Sequence, residues 1–165
     1  MLKRRSLPSL ALAGLLTTSL ITAALLGTTS LAAQTIKIGD INSYTRMAQH
    51  TEHAKRGMEM AIAEINDAGG IGGMELELIS RDDAGEPGEA VRVAEELVTR
   101  EGVQILTGTT LSNVGLAVAS FAAQNQVLYP AAEPLADAVT LQSGNRYTFR
   151  LRPSTYMQAS MLAEL

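Results

Sequence analysis

The chain has 165 residues, of which 46% are hydrophobic and 18% charged, so it can bury a core and is not globally disordered. Its formal net charge of -4 and the lack of a basic patch in its body exclude an electrostatic basis for binding nucleic acid. The sequence has no cysteine, which excludes disulfides, thiolate nucleophiles, cysteine-ligated metals and a lipid-modified cysteine anchor.

The N-terminal segment has the order of a secretory signal. Basic residues at positions 3–5 precede an uncharged stretch, Leu10–Leu26, and a run of small residues, Gly27–Ala33. This order predicts a signal peptide over residues 1–32, cleaved after Ala32, and a periplasmic protein with no stable membrane insertion after cleavage. The alternative is a retained transmembrane anchor, since the uncharged stretch approaches spanning length. The adjacent arginines leave twin-arginine export open beside Sec export.

Beyond this segment, strand and helix patterns alternate. The first strand is predicted over Thr35–Ile38 and closed by Gly39. A helix follows, because apolar residues recur at helical spacing, namely at Met58, Ala61, Ile62 and Ile65. The helix ends at Asn66–Gly70, where a glycine can take the left-handed cap, and Gly69–Gly73 forms a flexible connection. Apolar and polar residues then alternate through a strand at Met74–Arg81.

The same alternation continues to the end of the chain. After a loop at Asp82–Pro87, the next helix packs through Val91, Ala94, Leu97 and Val98. The remaining predicted elements are a strand at Val103–Thr107, a turn at Gly108–Leu111, a helix from Ser112, strands at Val127–Tyr129 and Tyr147–Leu151, and an amphipathic segment from about Ser154. This order predicts an α/β fold with a mostly parallel sheet and helices on both faces. Because the last helical pattern has no stop signal, we expect the chain to be the first part of a longer protein.

Ligands of open parallel sheets bind beyond the carboxyl ends of the strands. Four predicted loops lie there: Asp40–Thr51, Asp82–Pro87, Gly108–Ser112 and Pro130–Glu133. In the third loop, Ser112 begins a helix, so its hydroxyl and the free backbone N–H groups suit a carboxylate or another anion. The alternative is that Ser112 only caps its helix, which serines do routinely.

Other candidate residues each have two interpretations. Glu133 pairs with a ligand's ammonium or amide, or it is a solvated carboxylate. Tyr44 stacks on a ligand or covers the edge of the core. His50 and His53 form an H-x-x-H pair, but the sequence places no further ligands nearby, so no metal is predicted.

Signatures of catalysis are missing from the sequence. It contains no G-x-S-x-G elbow, no phosphate-binding G-x-x-x-x-G-K-[ST] and no H-E-x-x-H. The glycine run at Gly69–Gly73 precedes a strand, so it is not a dinucleotide fingerprint. Asp82 and Asp83 are expected to shape their loop and stay solvated. We therefore predict neither an enzyme activity nor a cofactor.

Six stretches of the sequence share residues and order with a known family. They are Ile36–Gly39, Gly57–Ala61, Ile65–Gly73, Arg81–Ala84, Gly108–Ala119 and Tyr129–Ala132. Together they resemble periplasmic solute-binding proteins of the leucine/isoleucine/valine type, which serve ABC transporters. The most specific element is the order of an I-N-x-x-G-G-I-x-G turn, paired aspartates and a serine at a later helix start. The resemblance covers nearly all of the chain after residue 32.

The resemblance implies a type I periplasmic-binding fold, of which this chain would supply only the first lobe. Residues 33–150 would form the N-terminal lobe, and residues 151–165 would approach the hinge and begin the second lobe. Proteins of this family close two lobes over a small-molecule solute and deliver it to ABC transporter permease subunits. They use no cofactor and no covalent chemistry.

The resemblance also implies roles for site residues. Ser112 matches the serine that holds the ligand carboxylate, and Ala132 matches the position that offers backbone groups. Glu133 stands where amino-acid binders usually carry threonine, and His50 falls near an aromatic residue that covers the ligand. Because the Glu133 carboxylate changes the charge complementarity, leucine-like specificity cannot be inferred from the resemblance.

The function expected from the sequence is binding of an amino acid or a related small carboxylate or amide for an ABC importer. Since the closing lobe would be missing, we expect the chain alone to bind weakly. One alternative is a ligand-sensing receptor domain of the same fold. Another is a secreted α/β hydrolase with Ser112 as nucleophile and a base supplied by His50 or His53 from their loop.

Overall fold

The centre of the fold is a sheet of five parallel strands. A computed structural model describes residues 35–163, so the predicted signal peptide lies outside the described residues. The strands are β1 (Ile36–Asn42), β2 (Leu76–Asp82), β3 (Ile105–Gly108), β4 (Tyr129–Ala131) and β5 (Thr148–Arg150). Their order is β2-β1-β3-β4-β5, and every pairing is parallel. The predicted parallel α/β fold is confirmed.

Helices cover both faces of this sheet. They are α1 (Ala48–Asp67), α2 (Pro87–Thr99) and α3 (Ser112–Asn125). A short 3-10 helix lies at Asp137–Val139, and α4 (Thr155–Ala163) follows β5 without burying a residue. Crossovers between parallel strands are right-handed, and β2 and β3 lie on opposite sides of β1. The first crossover therefore places α1 on one face, and the next two place α2 and α3 on the other face, as predicted.

The hydrophobic core lies between the sheet and the pair α2 and α3. Its largest buried side chains are Ile41, Val93, Leu97, Leu106, Val114, Val118, Tyr129 and Val139. Burying a side chain of this size stabilises a fold by about 1.5–3 kcal/mol. This layer is therefore the main source of the stability of the described residues.

Gly39 lies inside β1, and the prediction that it closes the first strand is wrong. A Cβ atom at Gly39 would lie 3.0 Å from Leu97 Cδ1 and 3.0 Å from Val103 Cγ1. The missing side chain leaves room for the helix and loop that pack on the strand. Gly39 is therefore a packing residue, and the strand continues to Asn42.

Other predicted boundaries are shifted by about two residues. β2 begins at Leu76, β3 begins at Ile105, and β4 begins at Tyr129, where the predicted strand ends. Strand ends depend on pairing with the neighbouring strand, which local residue patterns do not specify. The predicted flexible connection after α1 is instead a closed turn, because Ile71 and Met74 form an antiparallel bridge.

The face of the sheet that carries α1 is the less covered one. Thr51 is the one buried residue of α1, and the predicted apolar face of this helix is partly exposed. Leu128 and Phe149 point to this face, because their strand neighbours Tyr129 and Thr148 are buried on the other face. Their exposed fractions are 39% and 53%. The described residues therefore leave an apolar part of this face open.

The last helix does not have the amphipathic character predicted for it. No residue of α4 is buried. Its exposed apolar side chains, Tyr156, Met157, Met161 and Leu162, are spread around the helix. The predicted lobe boundary at residue 150 stays a prediction.

Among residues 35–163, no helix is both long and apolar enough to cross a membrane.

Candidate functional site

The loops that follow the parallel strands meet at one edge of the sheet, which is where open α/β sheets bind ligands. They are residues 43–47, 83–86, 109–111 and 132–136. The first loop is shorter than predicted, because β1 runs to Asn42 and α1 begins at Ala48. His50 and His53 therefore lie in α1, and the prediction that they lie in a loop is wrong.

The loop after β3 is fixed against its neighbours. Gly108 and Thr109 have positive φ angles of 93° and 60°, and a Cβ atom at Gly108 would lie 2.5 Å from the carbonyl oxygen of Ile41. Thr109 is fully buried. Its amide donates to the Ile41 carbonyl at 2.6 Å, and its hydroxyl bonds with that of Tyr129. Glycine is therefore required at the end of β3, and the loop it starts is rigidly held.

Ser112 is the first residue of α3, and the interpretation that it caps this helix is wrong. The N-cap is Leu111, which makes no side-chain capping bond. The Ser112 hydroxyl oxygen instead accepts a hydrogen bond from the Ala136 amide at 3.1 Å. Because that bond uses a lone pair of the oxygen, the hydroxyl proton stays free to be donated.

The backbone at the start of α3 adds further donors. The amides of Ser112, Asn113 and Val114 have no acceptor among residues 35–163. Unpaired N–H groups and the helix dipole favour an anion at this end of a helix. The start of α3 therefore offers a hydroxyl and backbone amides to one carboxylate.

Glu133 follows β4 and already has partners within the protein. Its Oε2 forms an ion pair with Arg152 and lies 3.4 Å from His50 Nε2. Its side chain is 22% exposed. The structure thus brings together two predicted site residues, His50 and Glu133, and adds Arg152. Contact of Glu133 or His50 with a ligand stays a prediction.

Ala132 and Tyr44 also lie at this edge of the sheet. The Ala132 amide donates to the Gly108 carbonyl at 3.2 Å, and its own carbonyl accepts no hydrogen bond within residues 35–163. The Tyr44 hydroxyl donates to Asp40, and the Lys55 ammonium lies 5.5 Å from the centre of the Tyr44 ring. Their roles as ligand contacts stay predictions.

A buried carboxylate lies beneath these loops. Asp40 is fully buried near the end of β1. Burial raises the pKa of Asp40, while hydrogen bonds from Tyr44 and Asn42 act to lower it. The Asn42 amide nitrogen donates to Asp40 Oδ1 at 3.0 Å, and Thr110 Oγ1 lies 2.9 Å from Asn42 Oδ1. This chain of contacts links the ends of β1 and β3.

The two aspartates after β2 differ in burial. Asp83 is fully buried, so the expectation that it stays solvated is wrong. Its Oδ1 accepts hydrogen bonds from Ser43 Oγ at 2.6 Å and from the Gly85 amide at 2.7 Å. Asp82 Oδ1 accepts a hydrogen bond from the Ala84 amide at 3.0 Å. Both aspartates shape the loop, as predicted.

Four residues of this region did not emerge from the sequence as candidates: Asp40, Asn42, Thr110 and Arg152. Asp40 and Asn42 do leave a signal in the sequence, because both directly continue the predicted first strand. Polar residues are uncommon in a buried strand, so two of them at its end point to a special role. Thr110 lies in the predicted loop Gly108–Ser112, in which Ser112 is the predicted site residue. Arg152 gave no signal, because its partner Glu133 lies in another loop.

Known proteins resemble the chain in sequence. A Leu/Ile/Val-binding protein homolog 3 of Brucella melitensis is 36% identical over 107 residues, which cover 64% of this chain and 29% of that protein. A leucine-, isoleucine-, valine-, threonine- and alanine-binding protein of Pseudomonas aeruginosa is 41% identical over 85 residues, which cover 51% of this chain and 22% of that protein. The chain thus matches less than a third of the length of either relative.

Solved structures share its fold. A substrate-binding protein of an ABC transporter from Desulfitobacterium hafniense, solved in complex with Leu, superposes with a TM-score of 0.72 and 27% identity. The match covers 79% of this chain and 38% of that protein. This likeness is consistent with a single lobe of the type I periplasmic-binding fold.

A family model covers all of the described residues. The model for periplasmic binding proteins matches residues 35–165. This match includes all five strands, Ser112 and the loops at the carboxyl edge of the sheet. The chain therefore belongs to the periplasmic binding protein family.

Proposed function

We propose that this chain forms the first lobe of a solute-binding component of an ABC importer. It binds an amino acid, or a related small carboxylate or amide, without covalent chemistry. The observation that carries this proposal is the start of α3, where the Ser112 hydroxyl accepts from the Ala136 amide and three backbone amides have no acceptor among residues 35–163. These groups suit the carboxylate of a solute at the carboxyl edge of the sheet.

The relatives support a solute of this class. The Pseudomonas aeruginosa protein is named for binding five amino acids, and the Desulfitobacterium hafniense structure contains Leu. The family consists of binding proteins rather than enzymes, which speaks against a hydrolase with Ser112 as nucleophile. A sensing receptor would use the same site. Binding to ABC transporter permease subunits would distinguish transport from sensing.

We place the protein in the periplasm, as its family description suggests. Export would use the segment at residues 1–32, with cleavage after Ala32 and release from the membrane. Recovery of a periplasmic form that begins at Ala33 tests this route. A membrane-bound form that keeps the segment would contradict it.

Replacement of Ser112 tests the proposed site. We expect Ser112→Ala in the full-length protein, meaning this lobe together with the proposed second lobe, to weaken solute binding by about tenfold, since a hydrogen bond to a charged group is lost. Isothermal titration calorimetry measures the affinity, with a solute first selected by thermal shift from amino acids, their amides and small aromatic acids.

Ser120→Ala is the matched control. Ser120 lies in the same helix, is exposed, and donates to the Leu116 carbonyl at 3.0 Å. Its loss should leave binding unchanged. Equal affinities for Ser112→Ala and wild type would refute the assignment of the carboxylate to α3.

A further inference from the structure

The buried carboxylate of Asp40 fixes the direction of a chain of hydrogen bonds. Asp40 is fully buried and accepts from the Tyr44 hydroxyl. Its other oxygen accepts from Asn42 Nδ2 at 3.0 Å. An amide nitrogen can only donate and a carboxylate oxygen accepts, so Asp40 sets the orientation of the Asn42 side chain. The Asn42 carbonyl oxygen is consequently turned away from Asp40.

This orientation determines what Thr110 offers to the cleft. Asn42 Oδ1 can only accept, and Thr110 Oγ1 lies 2.9 Å from it. Thr110 therefore donates its single hydroxyl proton to Asn42. Thr110 is partly exposed in the loop between β3 and α3, and donation uses only its proton, so the lone pairs of its oxygen are left to accept a hydrogen bond from the solute.

Ser112, two residues further along, has the opposite hydrogen-bonding role, since it can donate to a solute. Its oxygen is used by the Ala136 amide at 3.1 Å, and its proton is free. The loop therefore offers an acceptor at Thr110 and a donor at Ser112. A carboxylate can only accept hydrogen bonds, so it suits Ser112 and is disfavoured at Thr110.

Glu133 is less available than Thr110 to accept a hydrogen bond from the solute. Its Oε2 is shared between the Arg152 guanidinium and the imidazole of His50. A ligand ammonium would have to compete with Arg152 for this carboxylate. Within residues 35–163, Thr110 Oγ1 has no such competitor, because its one hydrogen bond there is the one that it donates to Asn42.

We propose that Thr110 is a specificity-determining residue that accepts a hydrogen bond from an N–H donor of the solute. Asp40 and Asn42 act through Thr110 as positioning residues. This inference rests on the proposed function, because it assumes that the solute's carboxylate lies at Ser112. The lobe therefore prefers acids that carry an ammonium or amide N–H near the carboxylate over acids that lack one.

The test compares two probes that differ only in the ammonium group, L-leucine and 4-methylpentanoate. The full-length protein should bind L-leucine more tightly. Thr110→Val, which keeps the shape but removes the acceptor, should lower the preference for L-leucine about tenfold, the loss expected for a hydrogen bond to a charged group. Calorimetry gives both dissociation constants. The readout is the dissociation constant of 4-methylpentanoate divided by that of L-leucine.

Three further variants separate specificity from structural effects. Thr110→Ser keeps the hydroxyl and should restore the wild-type ratio. Thr99→Val removes an exposed threonine hydroxyl that bonds the Glu95 carbonyl on α2, and it should leave the ratio unchanged. Asn42→Leu should lower the ratio as Thr110→Val does, because the Thr110 proton is then no longer held away from the cleft.

The outcomes distinguish this inference from the proposed function. If Ser112→Ala weakens both probes but Thr110→Val leaves their ratio unchanged, the role of Thr110 is overturned and the carboxylate site stands. If Ser112→Ala weakens neither probe, the proposed function fails first and the role of Thr110 fails with it. Binding of neither probe by the wild type, or equal binding of both, also overturns the inference.

Discussion

At the scale of single residues, Asp82 and Asp83 have opposite environments although they are adjacent. Burial raises the pKa of Asp83, and the hydrogen bonds that it accepts only partly offset this effect. For Asp82, burial also acts to raise the pKa, but hydrogen bonds from Thr45 and the Ala84 amide outweigh it and lower the pKa. The two carboxyl groups should therefore change stability with pH in opposite directions.

A difference in pKa between the folded and unfolded protein makes the free energy of unfolding depend on pH. A raised folded pKa means that the contribution of Asp83 is complete below its unfolded pKa of about 3.9 and is lost as pH rises through the folded value. The free energy of unfolding of Asp83→Asn minus that of wild type should therefore be more positive near pH 7 than near pH 3. The contribution of Asp82 is present above the unfolded pKa and lost as pH falls, so Asp82→Asn should show the reverse. Urea denaturation across this range measures both, and parallel pH profiles would contradict the assignment.

At the scale of elements, Gly39 and Gly57 give a matched pair of replacements. Gly39→Ala should destabilise the fold by roughly 1–3 kcal/mol, because the new methyl group would lie 3.0 Å from both Leu97 and Val103. Gly57 lies within α1, and a Cβ atom there would have nothing within 4 Å. Gly57→Ala should stabilise by about 0.5–1 kcal/mol through helix propensity. Urea denaturation compares them, and a stabilising Gly39→Ala would show that α2 does not pack closely on β1.

The same glycine explains which parts of the fold were predictable from the sequence. Element types and order follow from periods of 3.6 and 2 residues, which are local properties of the chain. The end of β1 was missed because Gly39 looks like a strand stop, whereas its role depends on Leu97 and Val103, which lie far along the chain. Strand limits likewise depend on partners that a local pattern does not contain.

The site was predictable to the same extent. Ser112 was recognisable because a strand, a short loop and a helix start are local features. Its partner Ala136 lies in the segment after β4. The chain from Asp40 through Asn42 to Thr110 joins two strands that are distant in sequence but neighbours in the sheet. Such contacts follow from the topology of the sheet and not from any single stretch of residues.

At the scale of the whole molecule, one lobe can contact only one side of a solute. The described residues offer a donor at Ser112 and an acceptor at Thr110, while small-molecule sites usually bury 70–90% or more of a ligand's surface. Domain closure normally supplies the remaining contacts and excludes water. The match to 38% of the Desulfitobacterium hafniense protein leaves room for a second lobe in that relative.

We therefore expect residues 33–165, produced alone, to bind the solute at least about a hundredfold more weakly than the two-lobed protein, because the proposed second lobe would supply the remaining contacts and the closure. Calorimetry on both forms measures the difference. Circular dichroism and a cooperative urea transition must first establish that the isolated lobe is folded, since Leu128 and Phe149 leave part of its sheet face exposed. The residual binding of the folded lobe should still fall on Ser112→Ala, because that contact belongs to this lobe. Equal affinity of the lobe and the full-length protein would mean that the carboxyl edge of this sheet is a complete site by itself.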